Sequence, residues 1–230
     1  MLTLSGVDSF YGRSQALHNM NIEARQGEML ALLGRNGVGK TTLLRTILSL
    51  TDRCDGVISL DGDDITRIPT HERARKGIAY VPQGRMIIPD FTIRDNILMG
   101  GFAARGTRKI PEIVPELFPY LMDNLDRPGG VLSGGQQQQL AIARALACDP
   151  SVLLMDEPTE GIQPNIVEQI EEIIIRLNTE LGLTILLVEQ NVGFARRAAT
   201  SFAMIEHGTA VEAGKIDTLT DDMVSKHMAI

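Results

Sequence analysis

The sequence predicts an α/β fold in which a parallel sheet carries helices on its faces, the N-terminal portion is rich in strands, and a helical subdomain interrupts the core. Three observations carry this. Strand-like and helix-like segments alternate through the C-terminal half, the pattern of a parallel sheet covered by helices. A glycine-rich turn at 34–42 joins a short apolar run to an amphipathic segment. Between about 85 and 140 the periodicity becomes helical and is broken by Pro111, Pro115, Pro119 and Pro128.

The elements follow in order. Leu2 and Leu4 alternate with polar neighbours, and Leu17, Met20 and Ile22 continue the strand pattern to Ala24. Glu28 to Leu33 is an apolar run that ends at Gly34. Lys40 to Leu50 has helical spacing, with Leu43, Leu44, Ile47 and Leu48 on one side. Gly56 to Leu60 is a strand closed by the turn signal Asp61-Gly62. After the helical stretch, Ser151 to Met155, Thr184 to Val188 and Phe202 to Glu206 read as strands. Pro164 to Leu181 and Val192 to Ala199 read as the helices between them, and Thr218 to Met228 as a short final helix. With no repeat at solenoid spacing, residues 1–230 are expected to form one domain with the helical subdomain inserted at about 85–140.

Composition removes several function classes. A chain of 230 residues with 43% hydrophobic and 22% charged residues can bury a core, so disorder and coiled-coil rods are excluded. A net charge of −7 argues against general nucleic-acid binding, and 4% aromatics without any Trp argues against base-stacking platforms. No apolar run reaches the roughly 18 residues of a membrane span, and the first residues lack the pattern of a secretory signal. Cys54 and Cys148 have no metal-ligand spacing and are expected to be reduced.

Gly34-Arg35-Asn36-Gly37-Val38-Gly39-Lys40-Thr41-Thr42 matches G-x-x-x-x-G-K-[ST] between a strand and a helix. The glycines let backbone N–H groups turn inward around phosphates, and the helix adds its positive N-terminus. Lys40 can reach the terminal phosphates, and the Thr41 hydroxyl can ligate Mg²⁺. Ser151 to Met155 ends in Asp156-Glu157, which places two carboxylates at the sheet edge where ligands bind. Asp156 suits a Mg²⁺ carboxylate, and Glu157 a general base for water. Leu132-Ser133-Gly134-Gly135-Gln136 opens a helix with Ser133 as N-cap, a second anion-attracting helix start.

The order of these three segments resembles the ATP-binding subunit of ABC transporters along essentially the whole chain. The resemblance implies a P-loop NTPase core with an N-terminal antiparallel β portion and a helical signature subdomain. It implies ATP and Mg²⁺ as ligands and two ATPase subunits, in a homodimer or heterodimer, facing head to tail. Each ATP would lie between one phosphate loop and the partner's Ser133, Gly134, Gly135 and Gln136. Tyr11 would stack on adenine, and Gln83 would approach Mg²⁺ and the attacking water. The other implied partners are transmembrane permease subunits and an external solute-binding protein, with no nucleic acid. The location is then the cytoplasmic face of the inner or plasma membrane.

Two positions depart from the family. Gln190 stands where a His usually touches the γ-phosphate, so a neutral donor replaces an imidazole. Gln163 stands where an Asp usually reaches across the dimer. With Glu160-Gly161 and Glu189-Gln190, the chain is similar to the branched-chain amino acid importer branch. Gln136-Gln137-Gln138-Gln139 and Glu160-Gly161-Ile162-Gln163-Pro164 are most similar to the urea and short-chain amide importer ATPases within it. An apolar stretch, Met86-Ile87-Ile88-Pro89, follows Gln83 and is expected either to help receive a membrane-subunit helix or to be buried inside the helical subdomain.

Overall fold

The computed structural model describes residues 1–102 and 109–228. Ten strands are formed: β1 (Leu2–Tyr11), β2 (Ser14–Ala24), β3 (Met29–Leu33), β4 (Arg53–Leu60), β5 (Asp63–Asp64), β6 (Ile78–Val81), β7 (Val152–Asp156), β8 (Thr184–Glu189), β9 (Ser201–Glu206) and β10 (Thr209–Lys215). The α-helices are α1 (Lys40–Ile47), α2 (Thr70–Arg75), α3 (Ile93–Gly100), α4 (Val114–Leu117), α5 (Pro119–Asp123), α6 (Gly134–Leu146), α7 (Pro164–Thr179), α8 (Val192–Ala198) and α9 (Asp221–Met228). These counts refer to the described residues; of the expected helical subdomain, residues 103–108 lie outside them.

The strands form two sheets. One is antiparallel, in the order β2-β1-β4-β5, and the other runs β10-β9-β3-β8-β7-β6. In the second sheet β9, β3, β8, β7 and β6 are parallel to their neighbours, and β10 pairs antiparallel at the edge. Strands covered on both faces need apolar residues at every position, and β3 and β7 are buried throughout. Alternate side chains of β3 then enter different cores. Leu30 and Leu32 pack toward the antiparallel sheet with Leu4, Leu17 and Leu43. Met29, Ala31 and Leu33 pack on the other side with Leu140, Ile174 and Phe194. Each of these leucine, isoleucine, methionine and phenylalanine side chains contributes about 1.5–3 kcal/mol on burial. The helix after the phosphate loop, α1, therefore lies between the sheets, with Leu43, Leu44 and Ile47 all fully buried.

The expected helix from Lys40 to Leu50 stops earlier, at Ile47. Ser49, at φ +58°, turns the chain out of the helix with Leu50 N bonded back to Arg45 O, and Arg73, on α2, caps the end. Its guanidinium is 1% exposed and donates to the carbonyls of Thr46 at 3.0 Å and Ile47 at 2.7 Å, and also to Thr66 and Ile68. A cation on the last carbonyls satisfies groups that a helix end leaves open and complements its negative end. The helix Pro164 to Leu181 likewise ends at Thr179. Pairing slips between Leu4 and Ser9 hide the alternation of β1, which runs on to Tyr11. The short or half-exposed β5 and β10, and α2, carry too little apolar signal to be read from sequence.

Candidate functional site

The phosphate loop forms one wall of a cavity of about 640 Å³. Asn36, Gly37, Val38, Gly39, Lys40, Thr41 and Thr42 line it, together with Gln83 and Glu157. The start of α1 has Gly39 at its N-cap and no side-chain cap, so its first N–H groups are presented to the cavity. The opposite wall comes from Ser14, Gln15, Ala16 and His18 of β2 and from His207 and Gly208 of the β9–β10 turn. Backbone bonds from His18 N to Gly208 O and from Gly208 N to Val38 O, at 2.9 and 2.8 Å, join that wall to the loop. Gly208 has φ +75°, and a Cβ there would lie 2.2 Å from the Ala16 carbonyl oxygen, so the close approach requires glycine. Sequence reasoning did not find this wall, because two scattered histidines and a turn glycine carry no local pattern.

The charged groups are tightly placed. Lys40 Nζ donates to the carbonyls of Gly34 at 2.7 Å and Arg35 at 3.0 Å, and lies 3.5 Å from Glu157 Oε1. Burial pushes the Lys40 ammonium below its ordinary range, with Glu157 acting in the opposite sense. Glu157 adopts φ +47°, an uncommon conformation for a non-glycine residue. Gln190 Nε2 donates to Glu157 Oε1 at 2.9 Å. Below them Asp156 is fully buried at the end of β7. It accepts the Thr41 hydroxyl at 3.1 Å and the Tyr80 hydroxyl at 3.2 Å. Burial pushes its carboxyl upward, while these two hydrogen bonds pull it down.

Glu189, 3% exposed, is also pushed upward by burial. It accepts the Thr159 hydroxyl at 3.0 Å and the N–H groups of Gln190 and Asn191. It thereby ties the segment after Glu157 to the one bearing Gln190. Gln83 reaches the cavity from the end of β6 but donates through Nε2 to Glu160 Oε2 at 2.7 Å.

This donor set fits a nucleoside triphosphate with a divalent cation. An uncapped helix start, a buried lysine and the Thr41 hydroxyl converge on one cavity, and that hydroxyl is in turn bonded to the buried Asp156 carboxylate. Among the described residues, no group of three or more His, Cys, Asp or Glu could hold a metal ion.

The structure does not bring every expected residue to the cavity. Tyr11, Asp156 and Gln190 do not line it: Asp156 meets the lining through Thr41, Gln190 through Glu157, and the Arg45 guanidinium lies 5.6 Å from the centre of the Tyr11 ring. Gly34 and Arg35 meet the site through the carbonyls that hold Lys40. The segment Ser133 to Gln136 lies away from the cavity lining. There Ser133 and Gln136 form a capping box, with Ser133 N donating to Gln136 Oε1 at 3.0 Å. Gly134 sits under the Arg85 guanidinium. Gly135 is packed against Ile166, where a Cβ would lie 2.4 Å from a methyl carbon. Its place is thus fixed by helix packing between α6 and α7.

The family profile described as "ABC transporter" matches residues 17–160. The high-affinity branched-chain amino acid transport ATP-binding protein BraG of Pseudomonas aeruginosa is 40% identical over 213 residues, covering 92% of this chain and 91% of that protein. The probable branched-chain amino acid transport ATP-binding protein LivF of Archaeoglobus fulgidus is 33% identical, covering 96% and 94%. Among solved structures, the dimeric post-hydrolysis state of the ATP-binding cassette MJ0796 bound to ADP and Pi is similar with TM-score 0.82 and 28% identity, covering 94% of this chain and 99% of that one. The two-sheet architecture is that of the cassette, and the chain belongs to the ABC transporter family as an ATPase whose hydrolysis is coupled to transport.

Proposed function

We propose that the chain binds ATP with Mg²⁺ at the phosphate loop and hydrolyses it to power a membrane importer, with urea or short-chain amides as the transported solute. The observation that supports the hydrolytic reading best is the Glu157 carboxylate, held by Lys40 and Gln190 at the mouth of the loop. Asn36 to Thr42 hold the phosphates, with the carbonyls of Gly34 and Arg35 orienting Lys40. Thr41 and Asp156 would hold Mg²⁺, and Gln83, which here donates to Glu160, would be the further residue facing it. Such a cation would supply positive charge against the phosphate oxygens. Glu157 takes a proton from the attacking water, and Gln190 orients it.

Tyr11 stacks on the adenine after moving from under Arg45. A second ATPase subunit supplies Ser133, Gly134, Gly135 and Gln136 to the site, because this chain's own copy lies elsewhere. Residues 1–230 act as one ATPase domain, with the helical insertion near 85–140 carrying the signature. No described helix is long and apolar enough to cross a membrane. In this reading, which the family likeness supports, transmembrane permease subunits carry the solute, with this chain at the cytoplasmic face and a solute-binding protein outside. Ile88 belongs to an apolar groove of about 390 Å³ with Leu50, Tyr80 and Met99, and that groove suits a permease helix. Neighbouring Met86 is 70% exposed, whereas Ile87 packs against the core.

The urea reading rests on the likeness of 136–139 and 160–164 to the amide importers. A branched-chain amino acid importer is the second reading, favoured by the 40% identity to BraG. Uptake of labelled urea and leucine at low external concentration, in cells with and without the gene, separates them. Loss of urea uptake alone supports the first, and loss of leucine uptake alone replaces it with the second.

A further inference from the structure

We propose that Tyr80 is a positioning residue for the Asp156 carboxylate, fixing the plane in which that carboxylate meets the divalent cation. The inference rests on the reading that Asp156 and Thr41 hold this cation.

The geometry begins with the sheet. β6 and β7 are parallel neighbours, with Tyr80 opposite Leu154 and Val81 opposite Met155. Tyr80 therefore lies one strand aside from Asp156 and two places short of it. A tyrosine is long enough to cover that diagonal, and its hydroxyl donates to Asp156 Oδ2 at 3.2 Å. The other oxygen, Oδ1, accepts from Thr41 Oγ1 at 3.1 Å. The carboxylate is thus held at both oxygens by hydroxyls from different elements, the start of α1 and the end of β6.

Two holds matter because the terminal torsion of an aspartate is broad, and a single donor leaves the carboxylate plane free to turn. Neither hold blocks a cation, since each carboxylate oxygen offers two lone pairs and spends one on its hydroxyl. Burial and the nearby Asp156 charge push the Tyr80 phenol well above its ordinary range, so it remains a donor. The far side of Tyr80 helps wall the apolar groove with Ile78, Ile88 and Met99. No phosphate-binding motif includes Tyr80, yet the same strand end also delivers Gln83 to the cavity.

The test measures how much Mg²⁺ is needed to tighten the binding of a fluorescent, non-hydrolysable ATP analogue, with Mn²⁺ binding by electron paramagnetic resonance as a second readout. Tyr80→Phe keeps the ring and deletes the hydroxyl. It should bind the analogue normally without cation and need about tenfold more Mg²⁺, the scale of one hydrogen bond to a charged group. Tyr80→Met, another apolar side chain without the hydroxyl, should show the same shift, and normal cation-free binding verifies the fold of both. Asp156→Asn serves as reference. If it retains the cation requirement of the native chain, the cation-site reading itself fails. If it loses the cation effect while both Tyr80 variants keep the native Mg²⁺ requirement, the Tyr80 assignment is overturned and the cation site stands.

Discussion

The cavity at the phosphate loop and the segment Ser133 to Gln136 are both glycine-rich helix starts, but the fold treats them in opposite ways. At the loop, the helix start has no side-chain cap, and buried charges are displaced from their ordinary ranges, Lys40 downward and Asp156 upward. Five separate parts of the chain, β2, the loop, the ends of β6 and β7, and the β9–β10 turn, converge there. At 133–136 the polar groups satisfy one another in a capping box, and the glycines lie against Arg85 and Ile166. The first region is a concave site with donors to offer. The second is a finished surface, and in the proposed dimer it would meet a nucleotide only across the contact between subunits. An uncapped helix start inside a cavity therefore marks a ligand site more reliably than glycine content does.

The largest effect should come from the cavity. Glu157→Gln preserves shape and removes the base, so ATP turnover should fall by about 10²–10⁴-fold while nucleotide affinity is retained. Near-native turnover in a phosphate-release assay would remove Glu157 from the mechanism. The next effect sharpens the contrast with the signature segment. Ser133→Arg should leave nucleotide binding to the isolated chain unchanged and lower turnover by about 10²-fold, because the partner's site loses a donor. Mixing the Glu157→Gln and Ser133→Arg chains should then restore part of the activity. In the mixed dimer, one site joins an intact Glu157 to an intact Ser133. No recovery would break the proposal that the two regions work in trans.

What was legible in the sequence follows the same division. The phosphate loop, Asp156-Glu157 and the buried strands could be read because their signal is local: a spacing, an apolar run, a carboxylate at a strand end. The family was legible because three such segments occur in order. The cavity wall at Ser14 to His18 and His207-Gly208 was not, since it depends on bonds between residues far apart in the chain. The same holds for Gln83 on Glu160, Tyr80 on Asp156 and Arg45 over Tyr11. Arg73 looks like a solvated helix charge in sequence, yet it is buried against the end of α1. Long polar side chains that cross between elements leave no periodic trace, and they set the details of this site.

The smallest effect concerns the capping box itself. Ser133 is exposed, and its hydroxyl accepts from Gln136 N at a long 3.4 Å, so the fold gains little from it. Ser133→Ala should lower unfolding free energy by about 1 kcal/mol or less, read as a small shift in denaturant midpoint with an unchanged slope. Gln136→Ala removes the reciprocal bond to Ser133 N and should cost a similar amount. If the box serves only the helix, the two variants should lose turnover only in proportion to their lost stability. If the same groups also face a partner's nucleotide, turnover should fall well beyond that proportion while the denaturant midpoints barely move. A large stability loss with proportionate turnover would reverse the comparison and make 133–136 a structural cap.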